Sequence, residues 1–268
     1  SGIDLPKNKK IVIALTYIHG IGLNLANDIL NVLRIECDTK VNKLSEDDII
    51  KLRNELRNYI IEGDLKRQTS QNVKRLMDIS FSLSFLTIFS PIYLIIALYI
   101  FFLDKGPIVI KQNRVGLHGK QFKMYKFRTM KTDSHDLRDE LKEKNEIKGP
   151  LFTIKDDPRL IKGAKVLRKY SLDELPQLVN VIKGQMSLVG PRPLFDDDTK
   201  TFDKNYMRRL NVMPGMTGLL QINDRNTNDF EVWYKYDVEY IENWSLFLDI
   251  KILLKTIPSL LSKKIQGR

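Results

Sequence analysis

Residues 168–193 read Arg168-Lys-Tyr-Ser-Leu-Asp-Glu-Leu-Pro-Gln-Leu-Val-Asn-Val-Ile-Lys-Gly-Gln-Met-Ser-Leu-Val-Gly-Pro-Arg-Pro193. Two adjacent carboxylates, Asp173 and Glu174, stand between Arg168 and a Pro-Arg-Pro turn centred on Arg192. Adjacent like charges repel, so the pKa of one of them rises unless cations or a metal compensate. A carboxylate beside arginines is suited to act as a nucleophile or as a metal ligand in phosphoryl chemistry.

The same carboxylates also fit the start of an ordinary helix. Ser171 would cap this helix, and Asp173 and Glu174 would lie favourably in its first turn. The buried face of the helix would consist of Leu175, Leu178, Val179 and Ile182. The stretch by itself leaves both interpretations open, so the surrounding sequence has to decide between them.

The positive charge of the chain is concentrated in its later part. The 268 residues carry a net charge of +11, with 11 Lys and Arg against 10 Asp and Glu in residues 1–70, and 33 against 23 in residues 71–268. This excess indicates an anionic partner: nucleic acid, a phospholipid surface or a phosphorylated substrate. The single cysteine, Cys37, excludes an internal disulfide and a multi-cysteine metal site.

Residues 1–70 have the pattern of a small helical unit. Apolar residues recur at helical spacing on both sides of Gly20-Ile-Gly22, which predicts two helices. Ser45-Glu-Asp-Asp48 has the form of a capping box and predicts a third helix over residues 47–61. We expect Gly63 to end that helix.

Four blocks occur in order in this unit: Ile3-Asp-Leu-Pro-Lys-Asn-Lys-Lys10, Ala14-Leu-Thr-Tyr-Ile-His-Gly-Ile-Gly22, Asp38-Thr-Lys-Val41 and Tyr59-Ile-Ile-Glu-Gly-Asp-Leu-Lys-Arg67. Over about residues 2–79 the chain thereby resembles the amino-terminal part of the thirteenth small-subunit ribosomal protein, whose helix–two-turns–helix region packs on ribosomal RNA. That family's arginine-rich tail is missing here. Because RNA binding depends on such charge, we expect residues 1–70 to bind RNA weakly. We interpret them as a fused or borrowed segment without a catalytic role.

The apolar segment, residues 79–103, has no charged side chain and is long enough to cross a bilayer as a helix. Ser90-Pro91 lies near its middle, where proline kinks a helix and the serine hydroxyl can bond the freed carbonyl. Lys74 and Arg75 precede the segment and further cations follow it, so the flanks indicate no simple orientation. We favour a re-entrant helix that leaves the membrane on the face it entered. A spanning helix and a buried soluble helix are the alternatives.

Residues 107–130 have the pattern of a short β-hairpin. Apolar residues such as Phe122 and Met124 lie among cations that include Lys126 and Arg128, which predicts a basic surface with an apolar back. That surface either faces phosphate or lipid headgroups or is a solvated cationic strand.

Later segments carry further candidate residues. Asp156-Asp157-Pro158 is either a turn or a pair of metal ligands. Arg225 and Asn226 lie in a loop rich in turn residues and are candidates for phosphate contact. The helical patterns over residues 230–241 and 246–261 would lie on a membrane interface or cover the core.

Eight blocks follow one another across residues 73–262: Lys74-Arg-Leu-Met-Asp78, Ser90-Pro91, Lys126-Phe-Arg-Thr-Met130, Asp156-Asp-Pro-Arg159, Ser171-Leu-Asp-Glu-Leu-Pro-Gln177, Met186-Ser-Leu-Val-Gly-Pro-Arg-Pro193, Pro214-Gly-Met-Thr-Gly218 and Asn243-Trp-Ser-Leu246. In number and order they resemble the monotopic phosphoglycosyl transferases, the bacterial sugar transferase or polyprenyl glycosylphosphotransferase family. One residue departs from that pattern: Asp224 stands where the family usually has glycine before Arg225-Asn226.

This resemblance implies that a UDP-sugar gives its phosphosugar to polyprenyl phosphate through a covalent enzyme intermediate, with release of UMP. Asp173 would be the nucleophile and would lie at the Mg²⁺ ion, with Glu174 as its acidic partner. Lys74, Arg75, Ser90 and Pro91 would meet the membrane. The substrate would be held by Lys126, Arg128, Arg168, Pro191, Arg192, Pro193, Arg225 and Asn226.

Together these inferences predict a mostly α chain with a small β-hairpin, in three parts. Residues 1–70 form the ribosomal-protein-like segment, residues 71–106 the re-entrant membrane helix, and residues 107–268 the catalytic domain, which is α/β-associated and carries interfacial helices. The expected partners are a UDP-sugar, undecaprenyl phosphate and membrane lipids, with a homodimer left open, at the cytoplasmic face of the bacterial inner membrane. The insertion near residues 132–150 resembles family members that start exopolysaccharide, capsule or O-antigen chains. The rival function is an RNA-binding ribosomal protein with a membrane anchor.

Overall fold

The computed structural model divides into two compact units. The N-terminal unit comprises Ser1–Val73 and the C-terminal unit comprises Lys74–Arg268. The insertion at residues 132–150 lies outside the described part of the chain, as do Asp156 and Asn226. The residues that the structure describes are 4–131, 157–196, 206–225, 227 and 229–261.

The N-terminal unit is a set of short helices around one apolar core. Helices α1 (Ile11–Leu15), α2 (Leu23–Leu33) and α3 (Glu46–Leu56) follow in order. The hydroxyl of Ser45 accepts a hydrogen bond from the amide of Asp48 at 3.1 Å, which confirms the predicted cap of α3. The core side chains are Ile11, Val12, Leu15, Ile18, Ile21, Ala26, Ile29, Leu30, Ile35 and Leu52.

Helix α4 (Glu62–Ile88) begins where the sequence predicted an end. Gly63 lies in the first turn of α4, seven residues after α3 has already ended at Leu56. The Glu62 amide donates to the carbonyl of His19 at 2.8 Å, and the Glu62 carboxylate accepts from the His19 amide at 2.6 Å. These two bonds start the new helix, so the prediction that Gly63 ends a helix was wrong.

Helices α4 and α5 (Ser90–Leu103) are bent by 65° at the break between them. Pro91 has no amide to offer the carbonyl of Thr87, and the Ser90 hydroxyl donates to that carbonyl instead at 3.0 Å. Among the described helices none is by itself long and apolar enough to cross a membrane, whereas this bent pair passes the test of length and composition. A broken span and a re-entrant helix both have this shape.

The predicted hairpin is confirmed. Strands β1 (Val109–Val115) and β2 (Gln121–Phe127) pair antiparallel, and Phe122 and Met124 are buried. The prediction that Arg128 belongs to a basic surface was wrong, because this residue is only 2% exposed. With the helices described here and below, the chain is mostly helical with one antiparallel hairpin, as predicted.

The chain then passes through short elements that surround the candidate site. The parallel strands β3 (Ser187–Val189) and β4 (Gly215–Thr217) lie so close together that a Cβ on Gly215 would be 2.0 Å from the nitrogen of Gly190, which follows β3. The Gly215 amide donates to the Pro191 carbonyl at 2.8 Å, which fixes the turn after β3. In chain order, the short elements around the candidate site are α6 (Lys165–Lys169), a 3₁₀ turn (Leu172–Glu174), α7 (Gln177–Ile182), β3 (Ser187–Val189), β4 (Gly215–Thr217) and α8 (Leu219–Asn223).

Two longer helices end the described chain, α9 (Phe230–Glu242) and α10 (Leu246–Leu261). Helix α10 has the predicted bounds. It buries Ile252 completely but leaves much of its apolar stripe outside the core. The exposed members of that stripe are Phe247, Ile250, Leu254 and Ile257.

Candidate active site

The adjacent carboxylates lie in the 3₁₀ turn between α6 and α7, and both are buried, Asp173 at 7% and Glu174 at 8% exposure. Ser171 has a left-handed backbone (φ 58°) and its side chain makes no capping bond. The chain therefore turns sharply before the carboxylates, and α7 begins only after Pro176. The alternative interpretation, in which Ser171 caps a helix that starts at the carboxylates, was wrong.

Glu174 is held by two cations. Its Oε1 accepts a hydrogen bond from the ammonium of Lys126 at 3.2 Å and one from the guanidinium of Arg192 at 3.0 Å. Burial alone would raise the pKa of this carboxyl, but Arg192, Lys126 and Arg225 outweigh it and hold the pKa far below its usual range. Glu174 is therefore ionised and already committed to protein partners.

Asp173 differs from Glu174 in the hydrogen bonds and ion pairs of its carboxylate. Among the described residues, none forms a hydrogen bond or an ion pair with its carboxylate. Burial raises the pKa of Asp173 and the neighbouring Glu174 adds to the rise, against the opposing charges of Lys126, Arg168 and Arg225. An uncommitted, desolvated carboxylate beside cations has the properties of a nucleophile that awaits an anionic electrophile.

Four separate elements supply the cations around this pair. Lys126 lies near the end of β2, Arg168 in α6, Arg192 after β3 and Arg225 after α8. Each of these was predicted to bind the substrate, and the structure brings all four to the carboxylates. Their side-chain charges favour a bound phosphate or diphosphate.

Three side chains that were not predicted as site residues orient three of these arginines. Arg168 donates from Nε to the Thr129 hydroxyl at 3.1 Å, and Arg225 donates to the Ser171 hydroxyl. Arg209 donates to the carbonyl of Arg192 and is itself paired with Asp237 at 3.1 Å. Thr129 and Ser171 lie in two of the family blocks, and this position was the signal by which the sequence could have identified them as site residues. Arg209 lies in none of these blocks.

Other predicted site residues have different surroundings. The Arg128 guanidinium donates to the Asp104 carboxylate at 2.6 Å and to the Pro107 carbonyl at 2.7 Å, so substrate contact by Arg128 stays a prediction without geometric support. Asp157 pairs with Arg159 at 2.6 Å, which favours a structural turn over a metal pair. Pro191 and Pro193 flank Arg192 and line with it a small, shallow cleft.

Of the residues assigned to the membrane, Ser90 and Pro91 form the bend between α4 and α5. Lys74 and Arg75 instead bond to protein groups. Lys74 contacts Asp249 at 2.5 Å, and Arg75 donates to backbone carbonyls at the end of α7. Both side chains are half-buried, so a contact with lipid headgroups stays a prediction.

The donor groups at the site fit Mg²⁺ in one particular way. Within the described residues, no group of three or more His, Cys, Asp or Glu side chains gathers to form a metal cage. Mg²⁺ usually takes one or two carboxylates together with substrate phosphates. Asp173 can offer such a carboxylate because no protein group occupies it, whereas Glu174 cannot without losing Lys126 and Arg192.

Comparisons with known proteins identify a family for each part of the chain. Residues 69–263 match the family described as bacterial sugar transferase, and residues 1–82 match ribosomal protein S13/S18. The chain is similar to the undecaprenyl-phosphate galactose phosphotransferase of Salmonella typhimurium, at 41% identity over 207 residues that cover 76% of this chain and 43% of that protein.

Two further relatives show how the coverage varies. The exopolysaccharide production protein ExoY of Rhizobium meliloti is 40% identical over 190 residues, which cover 69% of this chain and 84% of ExoY. The galactosyl transferase CpsE of Streptococcus agalactiae is 46% identical over 159 residues, 59% of this chain and 35% of CpsE. The chain thus spans less than half the length of the Salmonella and Streptococcus relatives.

Proposed function

We propose, from the premise that this chain belongs to the bacterial sugar transferase family, that it transfers a phosphosugar from a UDP-sugar to undecaprenyl phosphate. One observation carries the proposal: the buried Asp173 has no partner of its own among the described residues, while four cations surround it and Glu174. A binding site for a diphosphate needs the cations, and an uncommitted carboxylate among them is suited both to a covalent step and to holding a metal ion.

In the first step an Asp173 oxygen attacks the β-phosphorus of the UDP-sugar. A bond forms between that oxygen and phosphorus, and the bond from phosphorus to the bridging oxygen breaks. UMP leaves with the bonding electrons, and the phosphosugar remains on Asp173 as an acyl phosphate. The positive charges of Arg168 and Arg225 offset the negative charge of Asp173. They thereby reduce the repulsion between the carboxylate and the diphosphate.

In the second step an oxygen of undecaprenyl phosphate attacks the same phosphorus. The phosphorus–carboxylate bond breaks, Asp173 is regenerated as a carboxylate, and the product is undecaprenyl-diphosphosugar. Glu174 takes no proton in either step, because its pKa is held too low. It instead keeps Lys126 and Arg192 beside the reacting phosphate.

The donor set at the site fits Mg²⁺ with Asp173 and the diphosphate oxygens as ligands. When bound, the ion would neutralise diphosphate charge and stabilise the leaving UMP. Binding and orientation of the phosphate oxygens fall to Arg168, Arg192 and Arg225.

A lipid acceptor requires that the site lie at a membrane face. The bent α4–α5 pair supports a re-entrant insertion from the cytoplasmic face of the bacterial membrane, since the bend at Ser90 is satisfied internally. The exposed apolar stripe of α10 supports an interfacial position for that helix. The N-terminal unit contributes no residue to the proposed chemistry.

The test is release of UMP by the detergent-purified full chain, incubated with Mg²⁺, undecaprenyl phosphate and UDP-galactose or UDP-glucose in turn. We expect UMP and a lipid-linked diphosphosugar in equal amounts with at least one donor. UMP without the lipid product would indicate hydrolysis instead, and no UMP from a panel of UDP-sugars would refute the proposal.

A further inference from the structure

Lys74 lies at the start of the C-terminal unit, and its ammonium is fully used by protein groups. It donates to the Val189 carbonyl at 3.0 Å, to the Asp249 carboxylate at 2.5 Å and to the Tyr240 hydroxyl at 3.2 Å. Three donors are all that an ammonium has. Only 15% of the side chain is exposed, so little of the charge is left for solvent or lipid.

The partners of Lys74 are themselves linked into one buried network. The Tyr240 hydroxyl lies 2.8 Å from Asp249 and 3.1 Å from the Val189 carbonyl. The indole of Trp244 donates to Asp249 at 3.1 Å. The ammonium therefore connects α4 to α9, to α10 and to the last residue of β3.

Helix α4 makes a second contact with β3. Asp78, one turn after Lys74, accepts a hydrogen bond from the amide of Leu188 at 3.1 Å. Strand β3 is thus held by α4 through two consecutive residues, Leu188 and Val189. Arg192, which binds Glu174, follows only three residues after Val189.

Arg75 holds the other side of the site. Its guanidinium donates to the carbonyls of Val181 and Ile182 at 2.5 and 2.8 Å. These carbonyls belong to the last turn of α7, where a cation is favoured by the helix dipole. Helix α7 begins three residues after Glu174, so Arg75 fixes the segment that follows the carboxylate pair.

We infer that Lys74 and Arg75 are positioning residues that set the distance between Arg192 and the carboxylate pair, and not contacts for lipid headgroups. Each of the two neighbouring cations holds one segment of the site, and the Glu174–Arg192 ion pair joins those segments at 3.0 Å. The inference rests on the proposed function. It implies that the site is complete only when the part of α4 around Lys74 and Arg75 is seated against β3 and α7.

The test must separate positioning from simple stability, because Lys74→Met alone leaves Asp249 buried without its cation. The double variant Lys74→Met/Asp249→Asn removes both charges, and Lys74→Arg keeps the cation. Lys105→Met is the matched control, since Lys105 is an exposed lysine at the other end of the apolar segment. Each is compared with the full chain for thermal unfolding, UMP release, binding to phosphatidylglycerol vesicles and amide exchange of residues 187–193.

We expect the double variant to stay folded and to bind vesicles like the wild type. Its kcat should fall about 10- to 100-fold, the cost of a misplaced catalytic group, and amide exchange of residues 187–193 should rise. Lys74→Arg should recover part of the rate, and Lys105→Met should change neither quantity.

Weakened vesicle binding with wild-type kcat and exchange would overturn the inference in favour of lipid contact. Unchanged rate, exchange and vesicle binding would overturn it as well. Should the wild type release no UMP, the proposed function fails, but the exchange of residues 187–193 still decides whether Lys74 positions that strand.

Discussion

The two units of the chain differ in whether they bury charged side chains. Within residues 4–73, no charged side chain is buried, and one apolar core holds the helices together. The C-terminal unit has several smaller apolar clusters instead. Its described part buries many charged side chains: Asp78, Arg128, Asp157, Arg159, Asp173, Glu174, Arg209, Asp237 and Asp249.

This difference shows that the C-terminal unit contains buried charges that cost it stability. Desolvating a charge costs several kcal/mol unless partners compensate, so a unit selected only for stability has little reason to do it. In the C-terminal unit most buried charges are paired, such as Lys74 with Asp249 and Arg209 with Asp237. Among the described residues Asp78 forms no ion pair but accepts the Leu188 amide, whereas Asp173 has neither an ion pair nor a hydrogen bond, as the proposed chemistry requires. The following predictions test whether buried charge in this unit serves the reaction.

The largest expected effect is that of Asp173→Asn on the reaction rate. Loss of the nucleophile should lower UMP release on the order of 10⁴-fold or more. Because burial raises the pKa of Asp173, the ionised carboxylate destabilises the fold at neutral pH, and the neutral amide should leave the melting temperature unchanged or raise it. Thermal unfolding and a UMP assay on the same preparation check both parts. Lost activity together with a lower melting temperature would mean that Asp173 is structural.

Glu174→Gln should lower the stability of the fold, whereas Asp173→Asn should lower the reaction rate without lowering stability. Removing this charge leaves Lys126 and Arg192 buried without their partner, so the variant should lose about 3–5 kcal/mol of unfolding free energy at pH 7. The control is Lys10→Ala, which breaks an exposed pair with Asp38 in the N-terminal unit and should cost at most about 1 kcal/mol. Urea unfolding of the three proteins measures the difference, and equal losses would remove the contrast between the units.

The pH dependence of Glu174→Gln follows from the depressed pKa of Glu174. A lowered pKa in the folded state gives stability that is fully present above the unfolded value, about 4.3, and that is lost as the pH falls through the folded value. The stability gap between wild type and variant should therefore be constant near neutrality and shrink below about pH 4. A gap that grows on acidification would contradict the assignment.

The acid limb of the rate profile should reveal Asp173. Its raised pKa means that kcat/KM falls on acidification at a higher pH than an ordinary aspartate would give. Since Glu174 contributes to that rise, the limb should move to lower pH in Glu174→Gln, even though the maximal rate is reduced. An unmoved limb would show that another group controls it.

The smallest expected effect is that of the N-terminal unit on the chemistry. Removing residues 1–61 retains every residue of α4, and the proposed mechanism assigns no step to a residue of the N-terminal unit. UMP release by a truncated chain that elutes as a folded species should equal that of the full chain. A large loss of rate would show that the unit contributes to catalysis.

Local rules in the sequence were sufficient for much of the fold. The bounds of α10, the hairpin of β1 and β2, and the bond from Ser90 to the carbonyl of Thr87 each depend on residues close together in the chain. Lys126 and Arg192 stand in family blocks, and Arg168 and Arg225 were assigned from the same family resemblance. Spacing along the chain does not predict that these four cations come together.

The failures have a common physical cause, which is competition from distant partners. Gly63 does not stop a helix because Glu62 bonds to His19, and Arg128 is drawn inward by Asp104. The assignment of Lys74 to lipid stays a prediction, but its contact with Asp249, 175 residues away, could not be read from the local sequence either. Ser171 has a left-handed backbone that capping preference alone would not predict.

The most direct test of the central claim is the intact mass of the full chain after incubation with Mg²⁺ and a reactive UDP-sugar, without the lipid acceptor. Wild-type protein should gain the mass of one phosphosugar, on the peptide that contains Asp173, and should lose it when undecaprenyl phosphate is added. Asp173→Asn should gain nothing. An adduct that persists in Asp173→Asn, or that maps to another residue, would contradict the account.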